Sequence, residues 1–364
     1  MAPNTSLILA AHPDSLPIPG KHLKLQSTEV DINSLPEDKA LLLKTNYLSY
    51  DPYQRGRMRD PKGSSSYIAG YDLGSPINNN AISTVVLSSI ERFKPGDVIV
   101  GNSDFSQYVL VDKEKAEKSL EQGGFDKLEN PLKLDPKLFL GALGMSGLTA
   151  YSSLYEIGLP KPGEVIFISA ASGAVGQIVG QLAKREGMIV LGSVGSDEKL
   201  KFIIDELGFD GGFNYKVKSP KEGLGVLLED LKLGGLDVYY DNVGGETLDA
   251  ALGVMNTRGR IVSCGSISQT SLPRSQQYGI KNMGLVVAKR LRIRGFIVFD
   301  ADMGPKYKEE WMKNMSQWIK NGDITVKMDV TDGIERSAEG FVGMLEGKNF
   351  GKAVLKVADL GSDV

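Results

Sequence analysis

The amino-acid sequence predicts an α/β chain in which a doubly wound parallel sheet is joined to a β-rich domain. From about residue 131, strand-like runs alternate with amphipathic helical ones, the order expected of parallel strands with helical crossovers. Before that point the chain is a succession of short apolar or alternating runs broken by Gly, Pro and Asn. The stretch "ISAASGAVGQIVGQLAK", residues 168 to 184, joins a β-branched run to an amphipathic one through a loop of very small residues.

In chain order, "KALLLKTNYLSYDP", "AISTVVLSS", "DVIVG" and "SQYVLV" read as strands, with "KPGD" a turn feeding the third. "PKLFLGALGMSGLTAYSSLYEIG" has helical spacing. Then "EVIFISA" leads into "GAVGQIVGQLAKREG", "MIVLGSV" into "SDEKLKFIIDELG", and "LDVYYDNV" into "GETLDAALGVM", followed by "GRIVSCG" and "RIRGFIVF". A late helix, "KEEWMKNMSQWIKNG", precedes "ITVKMDV" and "GKAVLKV", strand-like pieces that rejoin the β-rich domain. The reading divides the chain into 1–130, 131–315 and a returning tail, 316–364.

The 41% hydrophobic and 24% charged fractions are those of an ordinary globular protein, and 364 residues suffice for two cores. A net charge of −3 offers no basic excess for nucleic acid or an anionic membrane. No apolar run approaches the roughly 20 residues of a membrane span, and the first residues lack a leader's basic start and long apolar stretch. A cytoplasmic protein is expected. One cysteine, Cys264, precludes an intramolecular disulfide, and two histidines, His12 and His22, leave no zinc-ligand set, so no metal is expected.

Between strand and helix stands Ala170-x-x-Gly173-x-x-Gly176, a dinucleotide fingerprint with alanine at its first small position. Gly173 lets the backbone approach a pyrophosphate, Gly176 permits close helix–strand contact, and the helix N-terminus offers N–H groups to the anion. The alternative is a tight packing turn. An NAD site places Asp or Glu at the end of the next strand. Here Gly195 and Ser196 occupy that place, Ser196 is suited to cap the following helix, and Asp197 and Glu198 suit its first turn. Lys199 is then either available for a 2′-phosphate or a solvated helix charge, and NADPH is favoured over NADH.

"LSYDPYQRGRM", "GMSGLTAY", "SAASGAVGQIVGQLAK", "GSDEKLKFI", "LGFDGGFNYK", "DVYYDNVGGETLDA", "GRIVSCGSISQ", "RIRGFIVFD" and "GKNFGKAVLKV" span nearly the whole chain. Together they closely resemble the zinc-free medium-chain dehydrogenase/reductases. More narrowly, they resemble the branch containing leukotriene/prostaglandin reductases and plant alkenal double-bond reductases. The resemblance implies a GroES-like domain wrapped around a Rossmann domain, with the active site in the cleft between them. It implies that Gly173, Ala174, Val175 and Gly176 bind the pyrophosphate and that Lys199 and Tyr215 hold the adenosine 2′-phosphate end. Asn242, the segment Cys264, Gly265, Ser266, Ile267 and Ser268, and Phe296, Ile297 and Val298 would line the rest of an NADPH site, with Asn349 reaching it from the tail. Bland readings stand beside these: Tyr215 as a half-buried strand tyrosine, Cys264 as a small buried thiol, Asn242 as an Asx-turn before "GG".

The resemblance also implies a reaction, hydride transfer to the β-carbon of an α,β-unsaturated ketone or aldehyde. Such an enzyme must align hydride and carbon and stabilise charge growing on the carbonyl oxygen. Without zinc, the donor is a phenol, a ribose or nicotinamide group, or backbone N–H. Several relatives read "ISQYN" after the Cys-Gly strand, with that tyrosine near the substrate oxygen; this chain reads "ISQTSLPRSQQYG", placing Thr270 there. Thr270 serves with water, or Tyr53, Tyr71 or Tyr278 substitutes; each of the three has a packing or surface alternative. Arg55, Arg57 and Arg59, and the run "AKRLRIRG", read as solvated surface. "RIRGFIVF" matches the segment through which family members pair as homodimers. An NADPH ene-reductase acting on a small conjugated carbonyl in a specialised biosynthetic pathway is the leading expectation. Quinone reduction, a zinc alcohol dehydrogenase and a non-catalytic NADPH-binding protein are the competing ones.

Overall fold

The computed structural model describes residues 1–60, 66–122 and 124–361, and the chain divides into two units, Met1–Leu140 with Met328–Val364, and Gly141–Lys327. In the first unit β1 (Ala2–Leu9) and β2 (Leu23–Val30) form an antiparallel pair. The remaining strands of its first stretch are β3 (Lys39–Ser49), β4 (Asn78–Ser88), β5 (Val98–Asp104), β6 (Tyr108–Asp112) and β7 (Phe125–Lys127). β3 pairs with β4 and β6, and β5 with β4 and β7, all antiparallel. The predicted runs form these strands because their apolar residues reach two cores. Leu41, Leu43, Val85, Phe93 and Ile99 fill one, while Leu48, Tyr50, Ile77, Phe105 and Phe341 fill the other.

The second unit carries β8 (Val165–Ile168), β9 (Ile189–Val194), β10 (Gly211–Asn214), β11 (Leu236–Asp241), β12 (Met255–Ser263) and β13 (Arg292–Gly295). All pair parallel, in the order β10-β9-β8-β11-β12-β13. The chain runs outward from β8 on one side and from β11 on the other. That reversal opens a crevice at the carboxyl ends of the two central strands, where doubly wound sheets take their ligands. β8 is wholly apolar, and every residue of β8 and β11 except Asp237 is buried, because both faces of this sheet are covered.

The chain then returns: β14 (Met328–Asp332) pairs parallel with β15 (Lys352–Lys356), and β15 pairs antiparallel with β3. The turn Pro136–Leu140 packs on β3 and β4, and the helix Gly304–Asn321 packs on the helix Met145–Ser153, which sets the unit junctions at 140 and 327; the sequence reading drew them at 130 and 315.

Two buried glutamines on the helix Gly176–Arg185 hold the last residues of the second unit. Gln177 Nε2 donates to the Lys327 carbonyl at 3.1 Å and its Oε1 accepts from Lys327 N at 2.8 Å. Gln181 does the same with Thr325, at 2.8 Å in each direction.

The solvated reading of the first arginine run is corrected at two positions. Arg55 and Arg57 are buried: Arg55 donates to the Pro13 and Ser15 carbonyls, and Arg57 to Ala69 O and Asn78 Oδ1 while lying over the Tyr71 ring. A guanidinium spreads its charge over five donors, so backbone carbonyls can satisfy it inside a protein.

Asp104 ends β5, and burial raises its carboxyl from 3.8 to about 6. A raised folded value favours the fold when the group is protonated; that contribution is complete below the unfolded value and lost as pH rises through about 6. Asp104→Asn is therefore expected to stabilise the protein by about 1–3 kcal/mol at about pH 8 and scarcely at all below about pH 4, as read by urea denaturation at the two pH values.

Candidate active site

β8 carries Ser169 and Ala170 to the carboxyl edge of the parallel sheet, and the helix Gly176–Arg185 leaves from there. Ala170 takes a φ of 50°, in the left-handed region, and its carbonyl accepts from Gly173 N at 2.9 Å, closing a tight turn. A Cβ on Gly176 would stand 2.4 Å from that carbonyl and 2.8 Å from Ala171 Cα, so only glycine lets the helix begin this close to the strand. At Gly173 a Cβ would meet Ala170 O at 3.1 Å, and Ala174 and Val175 are half-buried beside it. The helix that follows runs for ten residues and brings the positive end of its dipole to this turn.

At the end of β9 a Cβ on Gly195 would come within 2.8 Å of the Tyr215 hydroxyl. Tyr215 stands there because β10 pairs with β9 through Asn214 and Val194, and its own N donates to Val194 O at 2.9 Å. Ser196 caps the helix Asp197–Lys201, its Oγ accepting from Lys199 N at 3.3 Å, and Asp197 accepts from Asn214 Nδ2 at 2.8 Å. The structure thus gathers Lys199, only 9% exposed, and Tyr215, 42% exposed, at the neighbouring ends of β9 and β10. A side chain at position 195 would have to displace the Tyr215 hydroxyl.

The ends of β8 and β11 are stitched by side chains. Asn242 N donates to Ser169 Oγ at 3.0 Å and Asn242 Nδ2 to Ser169 O at 2.8 Å. Asp241 Oδ1 accepts from the Tyr239 hydroxyl at 2.7 Å, from Val243 N at 3.0 Å and from Gly244 N at 2.7 Å. Gly244 and Gly245, both at positive φ, carry the chain from this turn into the next helix. Cys264 N and Gly265 N both donate to Asp241 O at 2.9 Å, Ile267 N to Asn242 O, and Ser268 N and Oγ to Val243 O. Cys264 through Ser268 therefore lie against Asn242, with Gly265, Ser266 and Ser268 exposed. The Cys264 thiol is hydrogen-bonded to Tyr240, and burial pushes it up to about 12, so it is no nucleophile. After β13, Phe296 and Ile297 are half-buried, whereas Val298 is buried and its carbonyl accepts from Gly304 N at 2.8 Å.

In the first unit, Asn349 precedes β15, its Nδ2 donating to Gly351 O at 2.7 Å. The four candidate hydroxyls all have internal partners. In the first unit, Tyr53 donates to Asn79 Oδ1 at 2.7 Å and Tyr71 to Asn78 O at 2.7 Å. In the second, Thr270 donates to Ser266 O at 3.0 Å within its own short helix, and Tyr278 to Asp249 Oδ2 at 3.0 Å. Burial raises the Tyr53 and Tyr71 phenols, which stay protonated at neutral pH. Tyr71 is fully interior, and Tyr53 is half-buried.

Sequence reasoning missed Ser169, Tyr239 and Asp241. The signal was present in "YYDNVGG", where an Asp three residues before a Gly pair announces a turn held by its own carboxylate. Among the described residues no three His, Cys, Asp or Glu side chains gather as metal ligands, and no helix is long and apolar enough to cross a membrane.

Residues 5–119 match the family described as the N-terminal domain of oxidoreductase, and residues 174–321 that described as zinc-binding dehydrogenase. Over its whole length the chain is 48% identical to all of the NADP-dependent oxidoreductase RED1 of Cochliobolus heterostrophus. It is 39% identical to the NADP(+)-dependent 2-alkenal reductase of Nicotiana tabacum, over 87% of each chain. The crystal structure of CurA from Vibrio vulnificus in complex with NADPH superposes with a TM-score of 0.85 at 31% identity, covering 98% of this chain and 99% of that one.

The turn's geometry predicts two opposite effects. Ala170→Gly relieves a left-handed alanine and is expected to raise stability by about 1 kcal/mol. Gly176→Val forces a side chain into backbone and is expected to lower it by about 3 kcal/mol or more. Chemical denaturation of the two variants beside the parent checks both signs.

Proposed function

The chain belongs to the zinc-independent medium-chain dehydrogenase/reductase family, and from that premise we propose that it is an NADPH-dependent reductase of conjugated C=C bonds. Its substrate in this reading is a small α,β-unsaturated ketone or aldehyde. The observation that supports it best is the carboxyl edge of the parallel sheet. Gly176 is bare where the helix meets the strand, Tyr215 stands where an NAD-specific acid would go, and Lys199 follows.

Gly173 to Gly176 would receive the pyrophosphate, and Lys199 with Tyr215 the 2′-phosphate end. Asn242, Cys264 to Ser268 and Phe296 to Val298 would line the remainder, and Asn349 is part of the same assignment. The bound cofactor supplies a hydride to the β-carbon. The chain's own residues must then orient the acceptor, keep water from the reacting atoms and meet the oxygen on which charge grows. Thr270, Tyr71 and Tyr278 give their hydrogens to partners on neighbouring backbone or to Asp249. Tyr53 likewise gives its hydrogen to Asn79 Oδ1 and is taken, half-buried, as the phenol whose oxygen touches substrate, so the donor to the growing charge is a ribose, nicotinamide or backbone group. The enolate left by hydride transfer is then protonated at its α-carbon.

β13 ends its sheet with Ile293 exposed, which supports pairing of two copies edge to edge as a homodimer. The same reading places the enzyme in the cytoplasm.

Three measurements test this reading. Incubation with NADPH and a conjugated ketone is expected to consume NADPH and yield a product heavier by two hydrogens with the double bond gone; quinone turnover alone overturns the substrate class. Lys199→Ala is expected to weaken NADPH binding about 10-fold or more while sparing NADH, and an equal loss removes Lys199 from the phosphate site. Tyr53→Phe is expected to lower kcat/KM for the conjugated ketone by about 10-fold, and unchanged kinetics leaves Tyr53 as packing.

A further inference from the structure

Beneath Tyr53 the first unit buries an ion pair that no step above uses. Lys352, 1% exposed on β15, donates from Nζ to Asp51 Oδ1 at 2.7 Å and to Tyr50 O at 2.6 Å. Asp51 Oδ2 accepts from Ser49 Oγ and, at 3.0 Å, from Asn79 Nδ2. Asn79 Nδ2 also faces Ser49 O at 2.9 Å and Gln54 Oε1 at 2.9 Å, and Gln54 Oε1 itself accepts from Asp51 N at 2.9 Å. On its other side Asn79 Oδ1 accepts from Asn80 N at 2.8 Å and from the Tyr53 hydroxyl at 2.7 Å.

This arrangement allows the Asn79 amide one orientation. Turning it over would set its oxygen against three acceptors and its amide hydrogens against the Asn80 N–H. Lys352 Nζ donates to Asp51 Oδ1 and Ser49 Oγ to Asp51 Oδ2, which holds the carboxylate in place with Oδ2 turned toward the Asn79 amide nitrogen. With Asn79 Oδ1 fixed toward Tyr53, the phenol hydrogen is committed inward, and its oxygen offers any ligand a lone pair rather than a hydrogen.

We propose that Asp51 and Lys352 are positioning residues that act through Asn79 to fix the Tyr53 hydroxyl as an acceptor toward ligand. The consequence for substrate rests on the reading of the protein as an enone reductase. At Tyr53 the site favours a conjugated carbonyl compound that itself carries a hydrogen-bond donor.

The test compares benzalacetone, which has only an acceptor oxygen, with para-hydroxybenzalacetone, which adds a donor. The parent is compared with Asn79→Leu and with the paired replacement Asp51→Asn, Lys352→Met. The pair removes both buried charges together and so avoids stranding either one. Freeing the phenol hydrogen is expected to move the two KM values in opposite directions, the donor-bearing ketone losing and the other gaining, each by about 3-fold to 10-fold. In a Tyr53→Phe background neither replacement is expected to alter the ratio. Damage to the fold would raise both KM values together, and that outcome overturns the proposal.

The second readout needs no turnover. The ring-carbon NMR signal of the Tyr53 C–OH, assigned by its loss in Tyr53→Phe, is expected to shift in Asn79→Leu and in the paired replacement. If it stays put in the paired replacement, Asp51 and Lys352 do not set the hydroxyl, and the proposal fails. If the parent reduces neither ketone, the reductase reading fails while this signal still decides the positioning.

Discussion

The Asp241 carboxylate holds the working edge of the second unit together. It lies at the end of β11, one of the two central strands, and accepts three hydrogen bonds, two of them from the backbone of the turn that follows. Burial raises its carboxyl, and the N–H and phenol donors oppose that shift, so the ionised form depends on its partners. Through that turn, Asn242 reaches Ser169 at the end of β8, and the Cys264 to Ser268 segment rests on the same backbone. The strand-order reversal makes a crevice possible, and this set of hydrogen bonds gives the crevice a fixed rim.

Much of the second unit was legible because its signals are local. β8, the small-residue turn and its helix follow one another directly along the chain, and the Ser196 cap was visible from the acids beside it. The lost acid at position 195 was also legible; the Tyr215 phenol filling its place was not, because that contact depends on the pairing of β9 with β10. Thr270 could be placed by motif, but the direction of its hydroxyl depends on the short helix Ile267–Thr270, whose Ser266 carbonyl it meets. The buried arginines escaped notice for a related reason. Alternating Arg and Gly in "QRGR" looks like solvated surface until the chain from Pro13 to Ser15 folds over it.

The first unit joins residues from the two ends of the chain, and no periodicity reports that. Asp51 and Lys352 are separated by 301 positions and meet because β15 pairs with β3. A buried ion pair is a poor source of net stability, since desolvating both charges offsets most of their attraction. Here its worth lies in direction: it fixes which atom of the Asn79 amide is donor and which acceptor.

The glutamine pair on the helix Gly176–Arg185 treats residues 325 and 327 as a strand would treat its neighbour, matching donor to acceptor at alternate positions. Residue 326 is skipped, so the match is sensitive to spacing. An inserted or deleted residue between Thr325 and Lys327 would put the wrong backbone groups opposite one of the two glutamines and strand its buried amide. Homologous length variation, epitope tags and circular-permutation sites therefore belong elsewhere along the chain, and a chimaera joined inside this stretch inherits the need for both glutamines.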